Sequence, residues 1–256
     1  MEVIDTNYTI LFEDDSLIVV DKSGNCPVHP GGIRFKNNSL LTQLEKDLND
    51  KRDNDNKHDN NNKHDKYSKI KLYPVYRIDR ETSGIVIFSK TKNILDIKIQ
   101  NKIYLAICKG EIKQTNNKQD TIINKPIVRG NGEFMDWKMI IDKNYKNPKT
   151  KDSKTIITPI KSNKKYSLIQ AKLITGRRHQ IRCHLKSINH EIVGDKIYGE
   201  SDKIFIDFIN NELETPYNKE NMNRQALHMY KITVNGKEIT SKMPNDMKEL
   251  LKKIKL

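Results

Sequence analysis

Cysteine is scarce in this chain: 256 residues hold only Cys26, Cys108 and Cys183, scattered and with no Cys-x-x-Cys pair. An odd, dispersed set argues against a disulfide framework or a zinc ribbon and fits a reducing compartment. No apolar run approaches the roughly 20 residues that span a bilayer, so no membrane partner is expected. The opening Met1-Glu2-Val3-Ile4-Asp5 is neither a basic-apolar signal peptide nor an Arg-rich transit peptide, and an intracellular, cytoplasmic protein is expected. Signature motifs are missing too. There is no G-x-x-x-x-G-K-[ST], G-x-G-x-x-G, H-E-x-x-H, G-x-S-x-G, or H-x-E with C-x-x-C. These absences argue against P-loop NTP hydrolysis, dinucleotide redox chemistry, zinc deamination and lipase-type hydrolysis. No cofactor is expected, and any chemistry has to come from ordinary side chains.

Positive charge is abundant. The formal net charge is +14, and a charge that large self-repels unless an anionic partner, commonly a phosphate backbone, offsets it. A lysine-rich coding bias, visible in the many Asn, Ile and Lys residues, is the alternative source. From Asn49 to Lys66 no side chain is apolar, and five acids (Asp50, Asp53, Asp55, Asp59, Asp65) cancel five bases (Lys51, Arg52, Lys57, Lys63, Lys66). Such a stretch buries too little to offset its ordering entropy and is expected to be a disordered insertion over 49–69.

The rest patterns as short strands and a few helices. Tyr8–Phe12 and Leu17–Asp21 read as a hairpin, and Asn38-Ser39 caps a helix carrying Leu40, Leu41, Leu44 and Leu48. Strands are expected at Ile85–Ser89, Ile103–Cys108 (buried on both faces), Thr155–Ile160 and Tyr166–Leu173. Helices are expected near Asn93–Gln100, Arg178–Ile188, Asp202–Asn210 and Asp246–Lys253, and a hairpin over Leu227–Thr240 around Asn235-Gly236. Gly110 to Lys154 reads as loops and short strands. Strands joined by hairpins outnumber helices, which gives an α+β fold with mainly antiparallel sheet.

Two segments suggest chemistry. In Tyr76-Arg77-Ile78-Asp79-Arg80-Glu81-Thr82-Ser83-Gly84, two arginines flank Asp79 and favour its ionised form, as a nucleophile or base requires. A solvated turn in which Asp79 caps local backbone is the plainer alternative. In Thr175-Gly176-Arg177-Arg178-His179-Gln180-Ile181-Arg182-Cys183-His184, cations crowd the expected first turns of a helix, where the macrodipole prefers anions. Phosphates or a buried carboxylate would compensate; side chains splayed into water are the alternative. His179 and His184 are five apart, the wrong spacing for a shared metal on one helix face, so no metal site is expected. Tyr104, in a buried strand, is by itself an ordinary core tyrosine.

Taken together these segments resemble the RluA-type pseudouridine synthases. The family's H-R-L-D-x-x-T-S-G is matched by Arg77-Ile78-Asp79 with Thr82-Ser83-Gly84, and its K-x-Y-x-A-x-x-x-G by Lys102, Tyr104, Ala106 and Gly110. Its T-G-R-T-H-Q-I-R-V-H-L and G-H-P-I-V-G-D-x-x-Y-G appear as Thr175–Leu185 and Asn189–Gly199. Asp14-Asp15, Val19-Val20-Asp21-Lys22 and Arg224-Gln225-Ala226-Leu227-His228 also look like family elements. Departures are Tyr76 for His, Arg178 for Thr, Cys183 for Val and Glu191 for Pro.

The resemblance implies a single two-lobed catalytic domain with a central cleft over 1–256, without an S4-like or deaminase module, and expected to be a monomer. It implies a cofactor-free isomerase acting on uridines of tRNA or rRNA, tRNA being slightly favoured. Asp79 would be the catalytic carboxylate, Arg182 its ion-pair partner, and Tyr104 the ring against the uracil, also able to remove the proton at the new carbon linkage. Leu227 would wall the base, and Arg77 would fill the gap left by the extruded nucleotide. Arg80, Arg177, Arg178 and His179 would contact RNA, with Lys22 and Lys36 among the phosphate-tracking cations. The competing reading is a non-catalytic RNA-binding or RNA-folding factor on the same fold.

Overall fold

Alternating β-branched residues open the chain. In the computed structural model, which describes residues 6–30, 38–57, 69–113, 120–132, 135–199, 201–210, 212–214 and 217–256, they form β1 (Tyr8–Glu13) and β2 (Leu17–Lys22). The turn between them is built by Asp14, whose Oδ1 accepts the backbone N–H of Ser16 (2.8 Å) and Leu17 (2.7 Å). Contacts divide the chain into two units, Met1–Lys98 with Val234–Ser241, and Ile99–Thr233 with Lys242–Leu256.

In the first unit β4 (Ser83–Ser89), buried throughout, pairs antiparallel with β2 and with β3 (Tyr73–Tyr76). α1 (Leu40–Lys57) starts at Ser39, whose Oγ accepts the Thr42 N–H at 3.2 Å. Its Leu40 and Leu44 join Ile18, Val20, Leu72, Val86 and Phe88 in one apolar cluster. Burying each such side chain is worth about 1.5–3 kcal/mol. The helix runs past Leu48 through Asn49–Lys57, which corrects the expectation that structure would be lost from Asn49 onward. The reason lies in side-chain bonds to the returning chain. Asn49 Nδ2 donates to the Glu45 and Ile70 carbonyls, its Oδ1 accepts the Ile70 N–H (2.9 Å), and Glu45 accepts the Leu72 N–H (2.7 Å). These polar bonds add to the apolar contacts of Leu48 and Ile70 in tying the helix to the returning chain. Residues 58–68 of the expected insertion, and Lys36, lie outside the described residues.

The second unit carries sheet order β11-β5-β10-β9-β6, with β5 (Ile99–Lys109), β6 (Thr121–Asn124), β9 (Lys154–Ser162), β10 (Tyr166–Leu173) and β11 (Leu227–Val234). A ribbon of β7 (Ile127–Arg129) and β8 (Met139–Ile141) lies outside that sheet, and the unit's helices are α2 (Gln180–Lys186), α3 (Asp202–Asn210) and α4 (Asn245–Lys253). β11 leads through Asn235-Gly236, both at positive φ, into β12 (Lys237–Thr240), the hairpin expected there. No helix forms at Asn93–Gln100. Asn93 folds back on the Leu95 N–H and Asp96, Leu95 is 91% exposed, and β5 begins at Ile99.

His184 joins α2 to β9. Its Nδ1 meets Thr155 Oγ1 at 2.8 Å, and its Nε2 meets Ser153 Oγ (2.9 Å) and the Lys125 carbonyl (3.0 Å). Burial holds this imidazole below the ordinary histidine pKa. Its neutral form stabilises the fold above the unfolded histidine value of about 6.5, and that contribution is lost as pH falls toward the lower folded value. Denaturant unfolding is expected to show stability declining from pH 7.5 to 5.5, with a shallower slope in His184→Gln. Equal slopes would contradict this role. The three thiols are buried as well; burial pushes Cys108 and Cys183 up to about 12, which leaves them unreactive at neutral pH. Among the described residues no helix is long and apolar enough to cross a membrane, and no group of three His, Cys, Asp or Glu is placed to hold a metal ion.

Candidate functional site

In the first unit the turn between β3 and β4 carries Arg77, Asp79 and Arg80. Its far end is fixed: Thr82, Ser83 and Gly84 are buried, Gly84 has φ of 107°, and Ile78 packs on the apolar cluster. The Thr82 N–H donates to the Asp79 carbonyl (3.1 Å), closing the turn, and Arg80 pairs with Glu81 (3.1 Å). Asp79 is half-buried, whereas Arg77 is exposed and hydrogen-bonds the His29 ring.

Lys22 corrects an expectation. It is 1% exposed, and its ammonium donates to the carbonyls of Ser23 (2.8 Å) and Arg80 (2.9 Å). A cation so placed holds the Asp79 turn to β2 instead of tracking phosphate. The sequence showed it only as a lysine at the end of a strand, and nothing in that pattern distinguishes a buried lysine from an exposed one.

In the second unit Tyr104 lies on β5 opposite Ala171 of β10 and is 6% exposed. Two residues earlier is Lys102, half-buried, whose pKa is pulled down by burial and then by the neighbouring Arg177 charge. A Cβ on Gly176 would stand 3.5 Å from the Lys102 ammonium. Half-buried Lys102 and exposed Arg177 are therefore close enough to repel, and an anion there would offset that repulsion. The cations expected in the first turns of a helix lie ahead of it instead. α2 begins at Gln180, with His179 left-handed (φ 51°) at its N-cap, and Arg177 and Arg178 sit in the preceding turn. Gln180 shapes that turn: its Oε1 accepts the Arg177 N–H (3.0 Å) and the Thr175 hydroxyl (2.8 Å).

Arg182 is the most constrained of the candidates. Its Nε and Nη2 donate to the two oxygens of Asp195 at 2.7 and 2.8 Å, with both side chains buried. Asp195 Oδ1 also accepts the N–H groups of Ile197 (2.9 Å) and Tyr198 (3.0 Å). Burial by itself raises this carboxyl's pKa, but the Arg182 charge and these hydrogen bonds outweigh it, and the net shift is downward. The Tyr198 ring faces the guanidinium at 5.1 Å. Its hydroxyl accepts the Met139 N–H at 2.6 Å and lies 3.1 Å from His179 Nδ1, the two rings meeting edge to face.

The loop bearing Asp195 is shaped by glycine. Gly194 has φ of 76°, and a Cβ there would meet the Arg224 carbonyl at 2.2 Å. Gly194→Ala is expected to cost about 2–4 kcal/mol by chemical denaturation, through left-handed strain plus overpacking; a loss under 1 kcal/mol would show the loop to be adaptable. Leu227, at the start of β11, is 4% exposed, and its carbonyl accepts from Arg224, which is itself bidentate on Asp246 (2.7 and 2.9 Å).

The candidates thus fall in both units: Arg77, Asp79 and Arg80 in the first, and Tyr104, Arg177, Arg178, His179, Arg182 and Leu227 in the second. Asp195 and Tyr198 had no assigned role at the level of sequence. The signal was present in the spacing Gly194-Asp195 to Tyr198-Gly199, where two glycines pinch a loop around an acid and an aromatic.

Known proteins share sequence with most of this chain. The family model described as RNA pseudouridylate synthase matches residues 16–187. Mouse pseudouridylate synthase RPUSD2 is 29% identical over 203 residues, 75% of this chain and 30% of that protein. The mitochondrial tRNA pseudouridine(32) synthase of Saccharomyces cerevisiae is 29% identical over 75% of this chain and 37% of its own length. This chain thus spans about a third of either protein. Ribosomal large subunit pseudouridine synthase D of Zymomonas mobilis is 28% identical over 95% of this chain and 71% of its own. Among solved structures, human RNA pseudouridylate synthase domain containing 4 superposes with a TM-score of 0.64 over 96% of this chain and 92% of that one, at 20% identity, which is a likeness of fold. With its α+β architecture and more than half of its length matched, this chain belongs to the RNA pseudouridylate synthase family, of the RluA type.

Proposed function

We propose that this protein isomerises selected uridines of structured RNA to pseudouridine, with Asp79 as the essential carboxylate and no cofactor. The observation that carries the reading is the Asp79 turn: a half-buried carboxylate on a loop closed by its own backbone, anchored by buried Lys22, and lying within the span that the family matches. The carboxylate attacks the nucleoside or abstracts a proton from its sugar. The N-glycosidic bond breaks, the uracil turns, and it is rejoined through carbon; the ring proton at that carbon is lost and the former glycosidic nitrogen takes one up from solvent. Substrate and product are isomers, so the atoms balance without an oxidant, reductant or group donor.

Tyr104 and Arg182 are the proposed partners of Asp79, Tyr104 at the uracil face and Arg182 through its charge. Leu227 would wall the base, Arg77 would fill the vacated stack, and Arg80, Arg177, Arg178 and His179 would grip RNA, with Lys102 reinforcing the pull on phosphate beside Arg177. Of the two RNA classes we favour tRNA. Its support is His29-Pro30-Gly31-Gly32 and Tyr73-Pro74, which resemble tRNA-modifying relatives, together with the similarity to a yeast protein named for tRNA; Val193-Gly194-Asp195 and the Zymomonas relative point the other way. Chemical mapping of pseudouridine in total RNA from cells with and without the gene tests this. Loss of a tRNA site is expected. Loss confined to rRNA would reverse the substrate assignment, and an unchanged map would remove the enzymatic reading in favour of an RNA-binding factor.

A further inference from the structure

Arg182 is held on two sides by residues of one short loop. Asp195 grips the edge of the guanidinium through two parallel bonds, at 2.7 and 2.8 Å, and is itself fixed by the backbone N–H groups of Ile197 and Tyr198. Tyr198 covers a face of the same group, its ring centre 5.1 Å from the guanidinium carbon. The Tyr198 hydroxyl is immobilised in turn by Met139 of the β7–β8 ribbon and by His179. Everything in this cradle is buried or nearly so: Arg182 is 4% exposed, Asp195 0% and Tyr198 6%.

A single buried carboxylate would suffice to balance the charge. A bidentate grip, a stacked ring and a tethered hydroxyl go further and leave the guanidinium one orientation. We infer that Asp195 and Tyr198 are positioning residues that fix the orientation of Arg182 for the isomerisation, Asp195 through the fork of the guanidinium and Tyr198 through its face. Neither is assigned contact with RNA, and the inference rests on the pseudouridine synthase reading above. In this arrangement the ribbon carrying Met139 and the turn carrying His179 both bear on Arg182 through the one phenol oxygen.

The test is a double-substitution cycle. Asp195→Asn keeps the size and one acceptor oxygen but removes the charge and the second acceptor. Arg182→Lys keeps the charge but removes the fork. Single-turnover rates and RNA dissociation constants would be measured for wild type, both single variants and the double variant, with folding checked by circular dichroism. A displacement of about 1 Å in a positioned group costs roughly 10²-fold in rate. Each single variant is expected to slow isomerisation by roughly that factor with RNA affinity within about threefold, and the double variant to be no slower than the worse single one, because coupled residues are not additive. Tyr198→Leu is expected to show the same split and the same lack of additivity with Arg182→Lys. If Asp195→Asn does not fold, Asp195→Glu, which keeps the charge and moves the fork, gives the same reading.

Wild-type rate in Asp195→Asn, a loss that appears only in RNA affinity, or a fully additive double variant would overturn the inference. It would leave the proposed function standing, since that fails if the wild-type protein makes no pseudouridine or if Asp79→Asn makes as much as wild type.

Discussion

Replacing Asp79 by Asn is expected to lower pseudouridine formation by roughly 10³-fold or more, the scale on which a positioned base or nucleophile contributes. Asn keeps the shape of the side chain, and the bond that closes the turn is made by the carbonyl of residue 79, which the substitution does not touch. The anchor from Lys22 goes to the Arg80 carbonyl and is likewise independent of the carboxylate. The turn should therefore survive the substitution, and the loss should fall on the chemical step. RNA affinity, read by filter binding, is expected to stay the same or rise slightly, because one negative charge has been removed from a protein of net charge +14. Equal falls in rate and affinity would place Asp79 in the RNA grip and not in the chemistry.

The second large effect is on stability. Arg182→Met strands the Asp195 carboxylate, 0% exposed, without its cation. Breaking one side of a buried pair costs about 3–5 kcal/mol, which for a protein of this size lowers Tm by roughly 6–20 °C. The direction of the pH dependence separates this mechanism from mere loss of packing. In the wild type the folded Asp195 pKa is depressed, so the pair stabilises above the unfolded carboxyl value of about 3.9 and that stabilisation is lost as pH falls through the lower folded value. With Arg182 gone, burial dominates and the folded pKa rises above the unfolded one. The penalty is then full at neutral pH and is relieved as pH falls toward the raised value, so the deficit relative to wild type shrinks from pH 7 to pH 4. Combining Arg182→Met with Asp195→Leu should recover most of the stability and none of the activity. A pH-independent deficit, or a double variant no more stable than the single one, would contradict this account of the pair.

Much of this was legible in the sequence, and what was not has identifiable physical causes. Asn235-Gly236 announced its hairpin because two successive residues at positive φ suit few other side chains. β10 and α4 followed from their apolar patterns. The failures came where side chains bond backbone across long sequence distances. The Asn49–Lys57 turns of α1 contain no apolar residue, and Asn49 is anchored by Ile70, 21 residues away, which no local pattern displays. Conversely a helix was expected near Asn93–Gln100, and the Asn93 side chain captures the backbone there instead. Asp79, Tyr104 and Arg182 were marked as candidates through ordered motifs. The burial of Lys22 and the cradle of Asp195 and Tyr198 around Arg182 were not, because a buried charge and an exposed one are written with the same residue.

Release of tritium from RNA carrying 5-tritiated uridine tests the central claim most directly, since forming the carbon linkage expels the hydrogen at that carbon. Purified protein is expected to release tritium from tRNA with no added cofactor, stoichiometrically with the pseudouridine found by mapping, and Asp79→Asn is expected to release none above background. Release by Asp79→Asn equal to wild type, or no release by the wild-type protein from either tRNA or rRNA, would contradict it.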